Sequence, residues 1–294
     1  MIAEHLEALL LLQQQTGTPM LYEAAACASI PVIRNLEEYY DNDLLHSFSG
    51  IVNGSTNFIL TKMNEEGVSY ENALLQAQQL GFAESNPELD VKGKDASNKL
   101  TIVLQHAYGV LVKNTAILHL GITHLHEYDV QYASEKGYKI KLVANAKRLE
   151  NNEIAAYILP TFVTPESQLH HIRNEFNGVL IGTKLADEQF LYGKGAGRFP
   201  TSSAVLSDIS ALRYDYRYEY RKSKSAINYS LSTSFTLKVY VSFESEAEID
   251  KSYFAEIEET YISQYRKFWV GFMNLENLRK SGWLENERIS VIAF

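Results

Sequence analysis

Gly81-Phe-Ala-Glu-Ser-Asn-Pro-Glu-Leu-Asp-Val-Lys-Gly-Lys-Asp-Ala-Ser-Asn-Lys99 decides how this chain is understood. Four carboxylates, Glu84, Glu88, Asp90 and Asp95, fall around Pro87 and Gly93, and a helical pattern follows over 94–109 with Leu100, Val103, Leu104 and Ala107 facing inward. Asp95 and Lys99 are four positions apart, so both side chains share one helix face, about 5–6 Å apart at Cβ. A buried lysine near a helix N-terminus has its pKa pushed down toward a range useful for proton transfer, whereas neighbouring carboxylates push it up. The sequence leaves that balance open. Alone, the pair is an ordinary surface contact worth ~0.2–0.5 kcal/mol, and the acidic loop is equally compatible with solvent or a hard cation.

Upstream, 45–52 reads as a strand stopped by Asn53-Gly-Ser-Thr56, and a helix over about 56–65 carries Phe58, Ile59, Leu60 and Met63. Ser69 is a candidate N-cap for a helix over 70–80, ended by Gly81. The chain opens with an amphipathic helix stopped by Gly17, a short apolar strand from Pro19 into small residues, and a polar helix near 33–41. Downstream come a helix near 126–136, strands over 138–146, 153–162, 177–182 and 189–193, the turn Gly193-Lys-Gly-Ala-Gly-Arg-Phe-Pro200, and a helix over 201–212. Residues 213–233 are polar and tyrosine-rich, a candidate linker. The remainder has a β-α-β-α-β rhythm: strand 235–243, helix 251–263, strand 268–273, helix 275–280 and strand 289–294.

Composition narrows the classes. With 294 residues, 46% apolar and 21% charged, the chain can bury a core and is not globally disordered. A net charge of −9 argues against non-specific binding to nucleic acid or anionic membranes. No apolar run reaches bilayer-spanning length, and the N-terminus lacks the features of a signal peptide. The single Cys27 excludes an internal disulfide and fits a reducing, cytoplasmic setting.

Taken in order, four segments resemble homoserine dehydrogenases: Tyr22-Glu-Ala-Ala-Ala-Cys-Ala-Ser-Ile-Pro31, Gly50-Ile-Val-Asn-Gly-Ser-Thr-Asn-Phe-Ile-Leu60, the acidic stretch ending at Lys99, and the glycine-rich turn with its following helix. The likeness covers about residues 1–212. It implies an enzyme that interconverts L-homoserine and L-aspartate 4-semialdehyde with NAD(P), on the route to threonine, methionine and isoleucine. It implies Lys99 as proton donor and acceptor, with Asp95 orienting it. Glu84 and Asp90 would bind substrate, with Glu84 receiving the ammonium group, and Gly54 and Ser55 would line the same pocket. Gly195, Ala196 and Gly197 would approach the cofactor. Glu23 with the carbonyls of Ala26, Ala28 and Ile30 would hold a monovalent cation such as Na+. Chemically, a zwitterion with a C4 alcohol needs anions for its ammonium end and a group to take its hydroxyl proton as hydride leaves.

The family's cofactor domain opens with G-x-G-x-x-G between strand and helix, and this sequence has no such unit. The expected architecture is therefore α+β: a remnant of a Rossmann domain (1–36), a substrate-binding and dimerisation domain (37–232) with returning helix 201–212, and a small ACT-like C-terminal αβ domain (233–294). A mixed or antiparallel sheet would carry helices on one face, leaving its outer face for a second subunit in a homodimer. The chain alone is expected to bind NAD(P) poorly and to need a separate nucleotide-binding half. The competing readings are a non-catalytic regulatory or scaffold subunit of the same ancestry and a metal-dependent hydrolase using the acidic loop. His124 and His126 with Glu127 and Asp129 form a weak metal-ligand pattern, and the alternation of tyrosines and cations over 213–224 a weak base-stacking one.

Overall fold

In the computed structural model, which describes residues 1–42 and 44–294, the alternating segments join into one mixed sheet. Its strands are β1 (Leu45–Ile51), β2 (Leu118–His119), β3 (Lys139–Arg148), β4 (Glu153–Val163), β5 (Phe176–Thr183), β6 (Asp187–Lys194), β7 (Ser230–Leu231), β8 (Thr236–Phe243), β9 (Glu256–Ile262), β10 (Lys267–Asn274) and β11 (Ser290–Ala293). The order is β6-β5-β1-β3-β4-β11-β8-β10-β9, with β2 and β7 pairing short stretches of β4. The long pairings are antiparallel; β11 meets β4 in parallel. The helices are α1 (Ile2–Thr16), α2 (Ala24–Cys27), α3 (Val32–Arg34), α4 (Gly54–Glu66), α5 (Tyr70–Gln79), α6 (Glu88–Val91), α7 (Lys94–Tyr108), α8 (Glu127–Glu135), α9 (Arg198–Leu212) and α10 (Leu275–Lys280).

Side chains alternate across a strand, and β4 shows the consequence. Ile154, Ala156, Ile158 and Phe162 join the core under α4 and α7, while Tyr157 and Leu159 face the opposite side. Ile59 and Leu60 of α4 and Leu104 of α7 are fully buried. Each such side chain contributes ~1.5–3 kcal/mol, so apolar packing rather than ion pairing holds these helices in place. On the far face, Leu169 and Ile172 cover Ile51, Val143 and Leu180, and Leu275, Leu278 and Trp283 cover Leu159, Val239 and Val241. Part of the outer face is thus covered by the chain itself, while Ser47, Ser49 and Asn145 on that face stay half-buried and Lys147 exposed.

Three local expectations are corrected. The segment after Pro19 is not a strand, because no described strand lies beside it to take its backbone hydrogen bonds; it passes directly into α2. The helix expected over 251–263 is a single 3-10 turn, Lys251–Tyr253, followed by β9. Glu256-Ile-Glu-Glu-Thr-Tyr-Ile262 alternates and carries β-branched residues, and pairing with β10 satisfies its backbone on one edge. The C-terminal region therefore runs β8-β9-β10-α10-β11 and extends the main sheet, although it keeps an apolar core of its own. Residues 213–233 are no linker: Tyr218 is buried, and Tyr216 and Tyr220 pack against the main core.

Candidate active site

The site forms where β1 ends and α4 and α7 begin. Asn53 caps α4, its Oδ1 accepting from the Thr56 N–H at 2.9 Å. The same side chain's Nδ2 donates to Asp90 Oδ1 at 2.7 Å and Asp95 Oδ2 at 2.8 Å. One amide therefore fixes a helix start and holds two carboxylates together. Asp95 also pairs with Lys99 across one helical turn, Nζ to Oδ2 at 2.8 Å, and Lys99 Nζ donates to the Val52 carbonyl at 2.7 Å. The side chains of Lys99 and Asp95 are 17% and 22% exposed, open enough to be reached by a small ligand.

The balance left open by the sequence resolves toward the charged form. Burial pulls the Lys99 pKa down, but Asp95 and then Asp90 outweigh it and hold the ammonium above the ordinary lysine value. Lys99 is the sixth residue of α7, beyond the first turn, where the positive end of the helix dipole has faded. Burial raises Asp90 above the usual aspartate range; the Asn53 hydrogen bond opposes this and the charge of Asp95 adds to it.

A cleft of about 330 Å³ is lined by Gly54 and Ser55, which follow Asn53 in the chain, and by Lys194, Ala196, Gly197 and Phe199; Asp90, Asp95 and Lys99 are not part of its lining. Phe82 and Glu175, also in its lining, were not singled out from the sequence. Ser55 Oγ donates to the Phe82 carbonyl. A Cβ at Gly54 would come within 2.6 Å of the Glu175 carbonyl, so only glycine permits this approach of α4 to the start of β5. Larger hollows of about 660 Å³ beside α8 and about 440 Å³ beside α1 likewise contain none of the acid–lysine residues and lie further from Asn53 along the chain.

The remaining expected residues divide. Gly195 is buried, whereas Ala196 and Gly197 are exposed on the turn between β6 and α9; no parallel strand follows α9, so this is not a dinucleotide fingerprint. Glu84 is exposed and outside the hydrogen-bonded cluster; its main-chain carbonyl accepts from Gln78. Glu23 is buried, and its two carboxylate oxygens accept the N–H groups of Ile33 and Arg34 at 2.8 and 2.9 Å. Burial pushes it up to about 7 against those bonds. The Ile30 carbonyl accepts from Val32, and Ala28 has a left-handed φ of 44°. Asp129 caps α8 and accepts from Tyr240 and Ser242, so its oxygens are committed to the fold. Among the described residues, no group of three or more His, Cys, Asp or Glu side chains could hold a metal ion, and no helix is long and apolar enough to cross a membrane.

Asn53 is the functional candidate that residue-by-residue reasoning passed over. Its signal was available: an Asn just before a helix start and within the segment that carried the resemblance.

Comparison with known proteins points to one family. The homoserine dehydrogenase of Helicobacter pylori is 37% identical over 246 residues, covering 83% of this chain and 55% of that protein. The Bacillus subtilis homoserine dehydrogenase is 36% identical over 204 residues, covering 69% and 47%. The chain thus spans about half the length of the curated relatives it matches. The crystal structure of a homoserine dehydrogenase from Thiobacillus denitrificans superposes with a TM-score of 0.84 at 25% identity, over 99% of this chain and 74% of that one. A hyperthermophilic archaeal homoserine dehydrogenase mutant, solved in complex with NADPH, superposes with a TM-score of 0.62 at 26% identity, over 74% and 63%. The family model described as homoserine dehydrogenase matches residues 31–210, and the chain belongs to that family.

Proposed function

We propose that this chain is the substrate-binding and catalytic part of a homoserine dehydrogenase, interconverting L-homoserine and L-aspartate 4-semialdehyde. The observation that carries the reading is the Lys99 ammonium held between the Val52 carbonyl and Asp95, beside a second carboxylate that shares Asn53. NAD(P), when bound, supplies the hydride acceptor or donor. The residues that would face its nicotinamide end are small: Gly54 packs directly on the Glu175 backbone, and Ala196 and Gly197 line the cleft opposite. Lys99 donates its proton to the C4 oxygen during aldehyde reduction and must lose one before it can accept the hydroxyl proton during oxidation. Because its pKa is raised, oxidation gains rate as pH increases through the alkaline range while reduction does not.

Asp95 orients Lys99. Asp90 and Glu84 bind the amino-acid end, with Glu84 swinging in from its exposed position. Gly54 and Ser55 form the floor, and Gly195, Ala196 and Gly197 the cofactor-facing wall. Glu23 with the carbonyls of Ala26, Ala28 and Ile30 holds a monovalent cation such as Na+; the left-handed Ala28, which departs from the helical course of α2, supports this.

The division 1–36, 37–232 and 233–294 is part of the proposal. So is a separate nucleotide-binding half, whose docking is supported by apolar side chains left exposed on α9 (Phe199, Leu206, Ile209) and α1 (Leu11, Leu12). A homodimer draws support from exposed Phe190 and Tyr192 on the edge strand β6. The test is homoserine-dependent NADP reduction by the chain alone and with a supplied nucleotide-binding half. Turnover only with that half, abolished by Lys99→Ala, is expected. Turnover that survives Lys99→Ala contradicts the role given to Lys99, and none in either arrangement favours a scaffold role.

A further inference from the structure

We infer that Arg198 and Lys194 form an oxyanion subsite in the cleft beside Gly54, where they take a carboxylate or phosphate group of a bound molecule. The inference rests on the proposed function, which leaves the anionic groups of amino acid and nucleotide without a receiver, and it goes beyond that reading by supplying one.

Arg198 and Lys194 are the two cationic residues in the lining of the cleft, and Glu175 is its single carboxylate. The lining is therefore net positive within a chain of net charge −9. Glu175 meets Lys194 only loosely, Oε1 to Nζ at 3.5 Å, and the Lys194 side chain stays 53% exposed. Arg198 is exposed, and its guanidinium makes no hydrogen bond or ion pair among the described residues. It lies over the Phe199 ring, 5.7 Å from the centroid, a contact that uses its charge and not its N–H donors.

The position adds to the imbalance. Arg198 is the first residue of α9, and Lys194 ends β6 just before the turn that leads into that helix. A helix start is electropositive, so a cation there is disfavoured by ~0.3–1 kcal/mol. Positive potential from two side chains and one helix thus converges on one wall of a cavity. An oxyanion balances it. A carboxylate or a phosphate accepts two parallel N–H bonds from one guanidinium, and Lys194 adds a point charge. Two molecules of the proposed reaction carry such a group: the amino acid its α-carboxylate, and the nicotinamide nucleotide its phosphate.

The test is calorimetric titration of the full chain with two pairs of probes. L-homoserine is compared with L-homoserinol, whose carboxylate is replaced by a hydroxymethyl group, and nicotinamide mononucleotide with nicotinamide riboside, which lacks the phosphate. In at least one pair the parent chain should bind the anionic probe about tenfold more tightly. Arg198→Ala and Lys194→Gln, both at exposed positions, should each reduce that preference. The double variant should abolish it, and Arg198→Lys should keep part of it. The pair that responds identifies the group bound. Equal binding within both pairs, or a preference that survives in the double variant, overturns the inference and leaves the proposed function standing as long as L-homoserine binds. A phosphate preference lost in the double variant, with no binding of L-homoserine, keeps the subsite and contradicts the proposed function. No binding of any probe overturns both.

Discussion

α7 carries a buried polar cluster at each end, and the two differ in one respect. Near its start, Lys99 and Asp95 remain partly exposed beside a cleft, and two carboxylates share one amide. In its last turn, His106 is sealed. Its Nδ1 meets Glu37 Oε1 at 2.6 Å, its Nε2 meets the Tyr22 hydroxyl at 2.9 Å, and Tyr22 continues to Tyr220 at 3.1 Å. The other Glu37 oxygen accepts the N–H groups of Glu219 and Tyr220. Burial lowers the His106 pKa, so the ring stays neutral and the contact with Glu37 is a hydrogen bond rather than an ion pair. The sealed cluster has no capacity left for a ligand and serves to pin the tyrosine-rich segment onto α7. The open cluster keeps its charged groups partly accessible. Buried polarity alone does not mark a reactive site; charged groups left accessible to a ligand do.

The largest expected effect separates the two ends. In the assembled enzyme, Lys99→Met should cost ~10²–10⁴-fold in turnover with little change in thermal unfolding, as read by a rate assay beside a melting curve. Next, Glu37→Ala should leave turnover per folded molecule intact but destabilise by ~3 kcal/mol in urea unfolding, because it strands several buried donors. If Glu37→Ala instead removes turnover at full stability, the contrast fails. Asn53→Ala should lose ~1 kcal/mol with the helix cap and also weaken L-homoserine binding, whereas Asn53→Asp should restore the cap without restoring affinity.

A pH effect separate from both clusters concerns Lys141, buried under the 172–176 loop and lowered to about 7 by burial. Its folded pKa lies below the unfolded value, so between about pH 7 and 9 the unfolded chain binds more protons and stability rises with pH. Melting temperatures across that window should rise for the parent chain and flatten in Lys141→Met.

Much of the open cluster could be read in the sequence because its spacing is local. Asp95 and Lys99 lie one helical turn apart, and helix and strand periods place most of the core. The sealed cluster could not, since it joins residues 22, 37, 106 and 220 through tertiary packing, and a tyrosine-rich segment rich in charges reads as linker. The β9 segment was misassigned for a similar reason: seven residues with five carboxyl or hydroxyl side chains look helical until a neighbouring strand is present to pair them.

The central claim is that anions hold Lys99 as an ammonium poised to give its proton to substrate oxygen. The most direct measurement is an NMR pH titration of the chain labelled with ¹³C at lysine Cε. The Lys99 resonance should titrate above the ordinary lysine midpoint and move down in Asp95→Asn. A midpoint below that of an ordinary lysine, insensitive to Asp95→Asn, would contradict the account.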